Sequence, residues 1–241
     1  MTIRTTFLST LALGVSALAL AGCQLDSTAT LRASEILSVA QSGTPVPVNA
    51  TVTGDFVTEA WCKDEGTMAS EVLSTPDVPV TLAGCAKAGN AAKGQFQIAT
   101  NLIKTEGGAD DATILQNVLE DDTIRLAVFP HGKHKDLLSV GLFVNLPVIE
   151  AGKQKLVAMP VFKRGGNDGD LGYSFTITIE NDLATPASFY LTDVSAGGDL
   201  PSDEAVLTIP PGGSDTVTLD AETQAKLAAN GWVNFMSMKT K

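Results

Sequence analysis

The chain is 241 residues long with a formal net charge of −11, and only 5% of its residues are aromatic. So acidic a surface repels nucleic-acid phosphates and anionic membrane faces, which excludes a nucleic-acid binder. The length allows one large or two modest domains, each able to bury a core.

Arg4 is the sole charge ahead of the uncharged run Phe7 to Leu20. That run falls short of the ~20 apolar residues needed to cross a bilayer, and it follows a basic start as the core of a secretory signal does. Leu20-Ala21-Gly22-Cys23 comes next: an apolar residue, two small ones, then cysteine. These four residues resemble the lipobox of bacterial lipoproteins. An ordinary secretory signal with a chance cysteine is the alternative reading.

The resemblance implies cleavage before Cys23, a diacylglyceryl group on its thiol, and a further acyl chain, such as palmitate, on its amine. Several acyl chains, at about 0.8 kcal/mol per buried CH₂, anchor a protein effectively permanently. In enteric lipoproteins an aspartate after the cysteine signals inner-membrane retention. Gln24 at that position therefore implies the outer membrane, facing the periplasm. Removing residues 1 to 22 leaves 219 residues, and the loss of Arg4 takes the charge from −11 to −12.

Residues 24 to 33 are polar and rich in Thr, Ala and Ser, as a tether would be. Ser34 then caps a short helix over 35 to 41, which Gly43 and Pro45 stop. From Val46 the pattern turns to alternation, giving a strand that ends near Cys62. A brief helix over 67 to 73 follows, then strands at 78 to 82, running into Cys85, and at 94 to 103. Asp110 and Asp111 begin a helix that carries Ile114, Leu115, Val118 and Leu119 at helical spacing, and 123 to 129 forms a strand.

The order strand, helix, strand, strand, helix, strand predicts a ferredoxin-like split βαβ domain over 46 to 132, behind a lipidated tether and short helix over 23 to 45. In such a sheet the first two strands run the same way, bringing Cys62 and Cys85 to one end. An exported protein meets an oxidising compartment, so this pair is expected to form a disulfide, with two free buried thiols as the alternative. Their separation from each other, and from His131 and His134, does not fit a zinc site.

Residues 130 to 135 read as a polar linker. Closely spaced strands follow at 137 to 149, 154 to 162, 173 to 179, 188 to 194, 205 to 209, 216 to 219 and 232 to 238. Asp220 caps an Ala-rich helix that Asn230-Gly231 ends. Seven strands in so short a stretch predict an immunoglobulin-like β-sandwich over 133 to 241 and an α+β chain overall. As a whole the chain resembles a group of small lipoproteins from bacteria and their phages, a resemblance that brings no catalytic residue.

Candidate chemistry is sparse. His131 and His134 could turn two imidazoles toward one metal, but a solvated basic linker is the plainer reading. Asn167, Asp168 and Asp170 resemble one turn of the glycine and aspartate repeats that bind calcium, and equally form a hairpin turn. The acidic clusters at Asp110-Asp111, Glu120-Asp121-Asp122 and Asp203-Glu204 read as solvated ends of elements. Trp61 and Trp232 could line a groove, though core positions suit them better. No nucleophile elbow, phosphate loop or metalloprotease motif is present.

The sequence thus points to a lipid-anchored envelope protein acting as a non-enzymatic binding or scaffold module, with no cofactor. Its partners would be the membrane, through the lipid on Cys23, and an envelope protein or the cell wall. A prophage-supplied lipoprotein that modifies the host surface is an alternative, as is a periplasmic hydrolase or a calcium binder.

Overall fold

A computed structural model of the protein describes residues 24–76, 78–106, 124–131, 134–158, 172–191 and 206–240. Among these, eleven strands form one mixed sheet: β1 Gln24–Arg32, β2 Val46–Phe56, β3 Val80–Ala88, β4 Ala91–Lys104, β5 Ile124–Pro130, β6 Leu137–Val144, β7 Gly172–Glu180, β8 Ala187–Tyr190, β9 Val206–Ile209, β10 Ser214–Thr218 and β11 Trp232–Lys239. Four helices accompany them: α1 Ala33–Ser42, α2 Glu59–Leu73, α3 Leu146–Ala158 and α4 Ala221–Asn230.

Ten strands lie on one path, β10-β7-β1-β2-β4-β5-β6-β11-β8-β9, and β3 pairs with β4 beside it. The path nearly closes into a barrel. Its shutting device is a bent two-stranded ribbon: β7 and β8 follow each other along one strand of it, β9 and β10 along the other. β7 pairs with β10 on one side of the bend and β8 with β9 on the other. One arm attaches to β1, and the other attaches to β11.

This architecture replaces the ferredoxin-like domain and the immunoglobulin-like sandwich expected from the sequence. Locally, β2, β4 and β3 lie side by side as in a split βαβ unit, both outer strands antiparallel to β4. The fourth strand of such a unit would occupy the free edge of β2. That edge is taken by β1, the segment expected as a tether. β5 instead pairs in parallel with the far end of β4.

The sandwich fails for a related reason. The strands after residue 133 do not pack into two sheets of their own: β6 pairs with β5, and β7 pairs with β1. Residues 146 to 158, expected to be mostly strand, are helix α3, with Gly152 buried against Leu73 of α2.

Inward residues of the barrel strands fill the main core, including Leu31, Val48, Leu102, Leu126, Val128, Val140, Ile177, Phe189 and Phe235. β5 and β6 are buried on both faces, because Ala127, Phe129 and Phe143 make a second cluster outside the barrel with Trp232 and Ile103. Burial on both sides is why these strands read as continuous apolar runs. In β11 a bulge between Asn234 and Met236 lets adjacent Phe235 and Met236 both enter the main core.

α1 packs Ala33, Ile36 and Val39 into that core. It starts where Arg32 donates its amide to Glu35 at 3.2 Å, and ends at Gly43, whose φ of 71° the missing Cβ permits. α2 starts at Thr58, whose hydroxyl accepts from the Trp61 amide at 3.2 Å. It lays Cys62, Gly66, Ala69 and Ser70 against β3 and β4, forming a third apolar cluster with Val80, Phe96 and Leu82.

Candidate functional site

Two places merit attention: the barrel lumen, and the end of the barrel where β1 begins. The lumen holds a cavity of about 60 Å³, lined in part by Ala29, Ala50, Ile98, Leu126, Leu142 and Phe175. Small inward side chains on β1 and β2 leave the space unfilled. Its surface is almost wholly apolar; the hydroxyl of Thr100, at its edge, is spent on the Ile124 carbonyl at 2.8 Å. Among the described residues its lining includes Ser27 and three threonines but no carboxylate, imidazole, amine or thiol that could activate a hydroxyl. The space is also smaller than the roughly 150 Å³ cavity known to hold benzene.

The other place is defined by register. Gln24 pairs with Gly172, and Leu25 with Gly54. Alongside lie Asp55 opposite Lys93, Phe56 opposite Ala92, and Cys85 opposite Gly94. The first turn of α2 sits over this end. Cys62 in that turn and Cys85 in β3 form a disulfide, with Cα atoms 6.0 Å apart, as the sequence predicted. Gly94 makes room for it: a Cβ there would come within 2.5 Å of the Phe56 ring and 3.0 Å of the Cys62 sulfur.

Two ion pairs lie at this end. Lys93 pairs with Asp55 at 3.1 Å and Lys63 with Glu59 at 2.7 Å. The hydrogen bond from Lys63, its charge, and the nearby charge of Lys87 hold the Glu59 carboxyl below its ordinary range. Among the described residues the two large hydrophobic side chains left exposed both belong here or on α2: Val57 at 57% and Met68 at 43%.

At the bend of the closing ribbon, Ser34 donates to Asp182 through both its amide, at 2.9 Å, and its hydroxyl. Burial works against the charged form of Asp182, but the hydrogen bonds from Ser34 and the nearby Arg32 charge outweigh it and lower its pKa. Arg32 also bonds Glu180 at 3.0 Å, so the start of α1 is stitched to the bend from two sides. A shallow polar recess of about 230 Å³ lies between α4 and β10, bordered by Asp220, Thr223 and Lys226. The pair Lys226 and Glu222, 3.3 Å apart, occupies its rim.

Cys23, Asn167, Asp168 and Asp170 lie outside the described residues, as do the acidic clusters around 110, 121 and 203. The histidines differ from a solvated linker. His131 is buried, its ring centre is 5.1 Å from that of His134, and its Nδ1 accepts from the His134 amide at 3.3 Å. Among the described residues no three metal-binding side chains gather. Trp232 stacks on Phe143 at 5.9 Å outside the barrel, and Trp61 is half-buried on α2.

Two features were not read from the sequence. One is β1, whose inward residues include Ser27 and Ala29, too small to give a strong alternation. The other is Asn181, which looks like a turn residue after a strand and is buried at the bend. No protein-family model, curated protein or solved structure matches the chain.

Proposed function

We propose that this chain is an exported lipoprotein, cut before Cys23 and held by lipid on that cysteine to the periplasmic side of the outer membrane. There it works as a non-enzymatic binding or scaffold module for an envelope protein or the cell wall. Leu20-Ala21-Gly22-Cys23 behind a short apolar run carries the anchoring part of the reading. The Cys62–Cys85 disulfide supports export, since such bonds persist in oxidising compartments.

Metabolic labelling with a fatty-acid analogue tests the anchor. The wild-type chain incorporates label and Cys23→Ser does not; equal labelling of both would overturn the assignment. Crosslinking in intact cells followed by mass spectrometry tests the module. Recovery of a specific envelope protein or of peptidoglycan fragments supports it, and failure to recover any counts against it.

A further inference from the structure

We propose that the end of the barrel at which β1 begins lies directly on the bilayer, with Val57 and the first turn of α2 in the interfacial layer. The partner is a lipid surface. The inference rests on the anchoring reading above and adds an orientation to it.

The geometry turns on the missing tether. Gln24 is already hydrogen-bonded strand, paired with Gly172, and Cys23 is its immediate neighbour in sequence. Consecutive Cα atoms are about 3.8 Å apart, so a lipid on Cys23 starts within one residue of the sheet. A lipoprotein with a long flexible leader can turn any face toward the membrane. This one must present the end carrying Gln24, Gly54, Asp55 and Gly172.

What that end displays suits the position. Val57 is the most exposed large hydrophobic side chain among the described residues. Four residues on, in the first turn of α2, stands the half-buried indole of Trp61, a side chain favoured at membrane interfaces. Met68, seven residues further and so on the same helix face, is exposed as well. The protein is strongly acidic overall, and anionic headgroups would repel most of its surface. Here Asp55 and Glu59 are paired with Lys93 and Lys63, with Lys87 close to Glu59, while Asp64 and Glu65 stand one turn further along α2.

The native tryptophans supply the test. The sequence has two, and Trp232 sits at the level of Phe143 and Arg125, whose neighbours pair with β4 near Leu102. That is seven to eight residues along β4 from Gly94, or roughly 25 Å at strand spacing. Full-length lipidated protein would be reconstituted into vesicles of phosphatidylethanolamine and phosphatidylglycerol brominated high on the acyl chain. In Trp232→Phe the remaining Trp61 should be quenched several-fold more than Trp232 is in Trp61→Phe. Val57→Asp, at an exposed site, should reduce the quenching of Trp61 while leaving flotation with vesicles unchanged.

Equal, weak quenching of both indoles in protein that floats with vesicles would overturn the orientation and leave the anchor standing. Protein that carries no acyl group and does not float would remove both.

Discussion

The side-chain amide of Asn181 donates to the Ile209 carbonyl at 2.8 Å, and so ties together the two strands of the ribbon that closes the barrel. The same nitrogen donates to Thr185 at 2.9 Å, and its oxygen accepts from the Leu183 amide at 3.1 Å. The backbone of Asn181 exchanges two further bonds with Gly212 and Gly213. At 1% exposure the amide is removed from water, and so is its partner Ile209, whose carbonyl depends on it. The bend is thereby fixed in the one geometry that lets β7 reach β1 while β8 reaches β11.

Replacing this amide should therefore be costly. Asn181→Ala strands the buried Ile209 carbonyl, at about 1 to 3 kcal/mol for a group that water cannot reach, and removes the bonds to the Thr185 carbonyl and the Leu183 amide, which lie nearer solvent. Denaturant unfolding should show a loss of roughly 2 kcal/mol. A loss below about 0.5 kcal/mol, the range of ordinary surface substitutions, would remove Asn181 from its role in closure.

The disulfide holds α2 to β3 across a sequence separation of 23. Chain-entropy arguments give a bond closing such a loop about 3 kcal/mol. Cys62→Ala with Cys85→Ala should lower unfolding stability by that order. Because Phe96 and Leu82 lie beneath α2, increased binding of a hydrophobic dye should accompany the loss. A double variant as stable as the parent would show that packing alone holds the helix.

The lumen cavity makes the opposite prediction. Ala50→Val adds two methyl groups at an inward strand position bordering about 60 Å³ of space, in a residue type that strands favour. Thermal unfolding should show a gain of about 0.5 to 1 kcal/mol, as cavity filling commonly does. A destabilisation of about 1 kcal/mol or more would mean that the site is already packed.

Acid should loosen the bend and the start of α4. The Asp182 and Asp220 carboxyls are both held below the unfolded value of 3.8, the second chiefly by the Thr223 amide. A carboxyl with a depressed folded pKa stabilises the fold above its unfolded pKa, and that contribution is lost as pH falls through the folded value. Melting temperature should thus decline below about pH 4. Asp182→Asn with Asp220→Asn should flatten the decline, and an unchanged slope would show that other groups govern it.

The sequence by itself determined the local pieces. Asp220 and Gly231 bracket α4 because a carboxylate caps free amides and glycine accepts a left-handed φ, here 78°. Phe175 to Ile179 alternates because β7 buries Ile177 and Ile179 on one face. The cysteine pairing was legible too, since the chain has three cysteines and the stretch around Cys23 resembles a lipobox, which leaves Cys62 and Cys85 for each other.

Only the tertiary structure decided which strands meet. Period-two alternation says that a strand has an inner face, but nothing about its neighbour on either edge. Asp26 receives the Ser174 hydroxyl across 148 residues, a parallel pairing of β1 with β7 that no local signal specifies. β1 hid as a tether because Ser27 and Ala29 carry little apolar surface, and α3 passed for strand. Long-range backbone pairing, closed at Asn181, turned two expected domains into one barrel-like sheet.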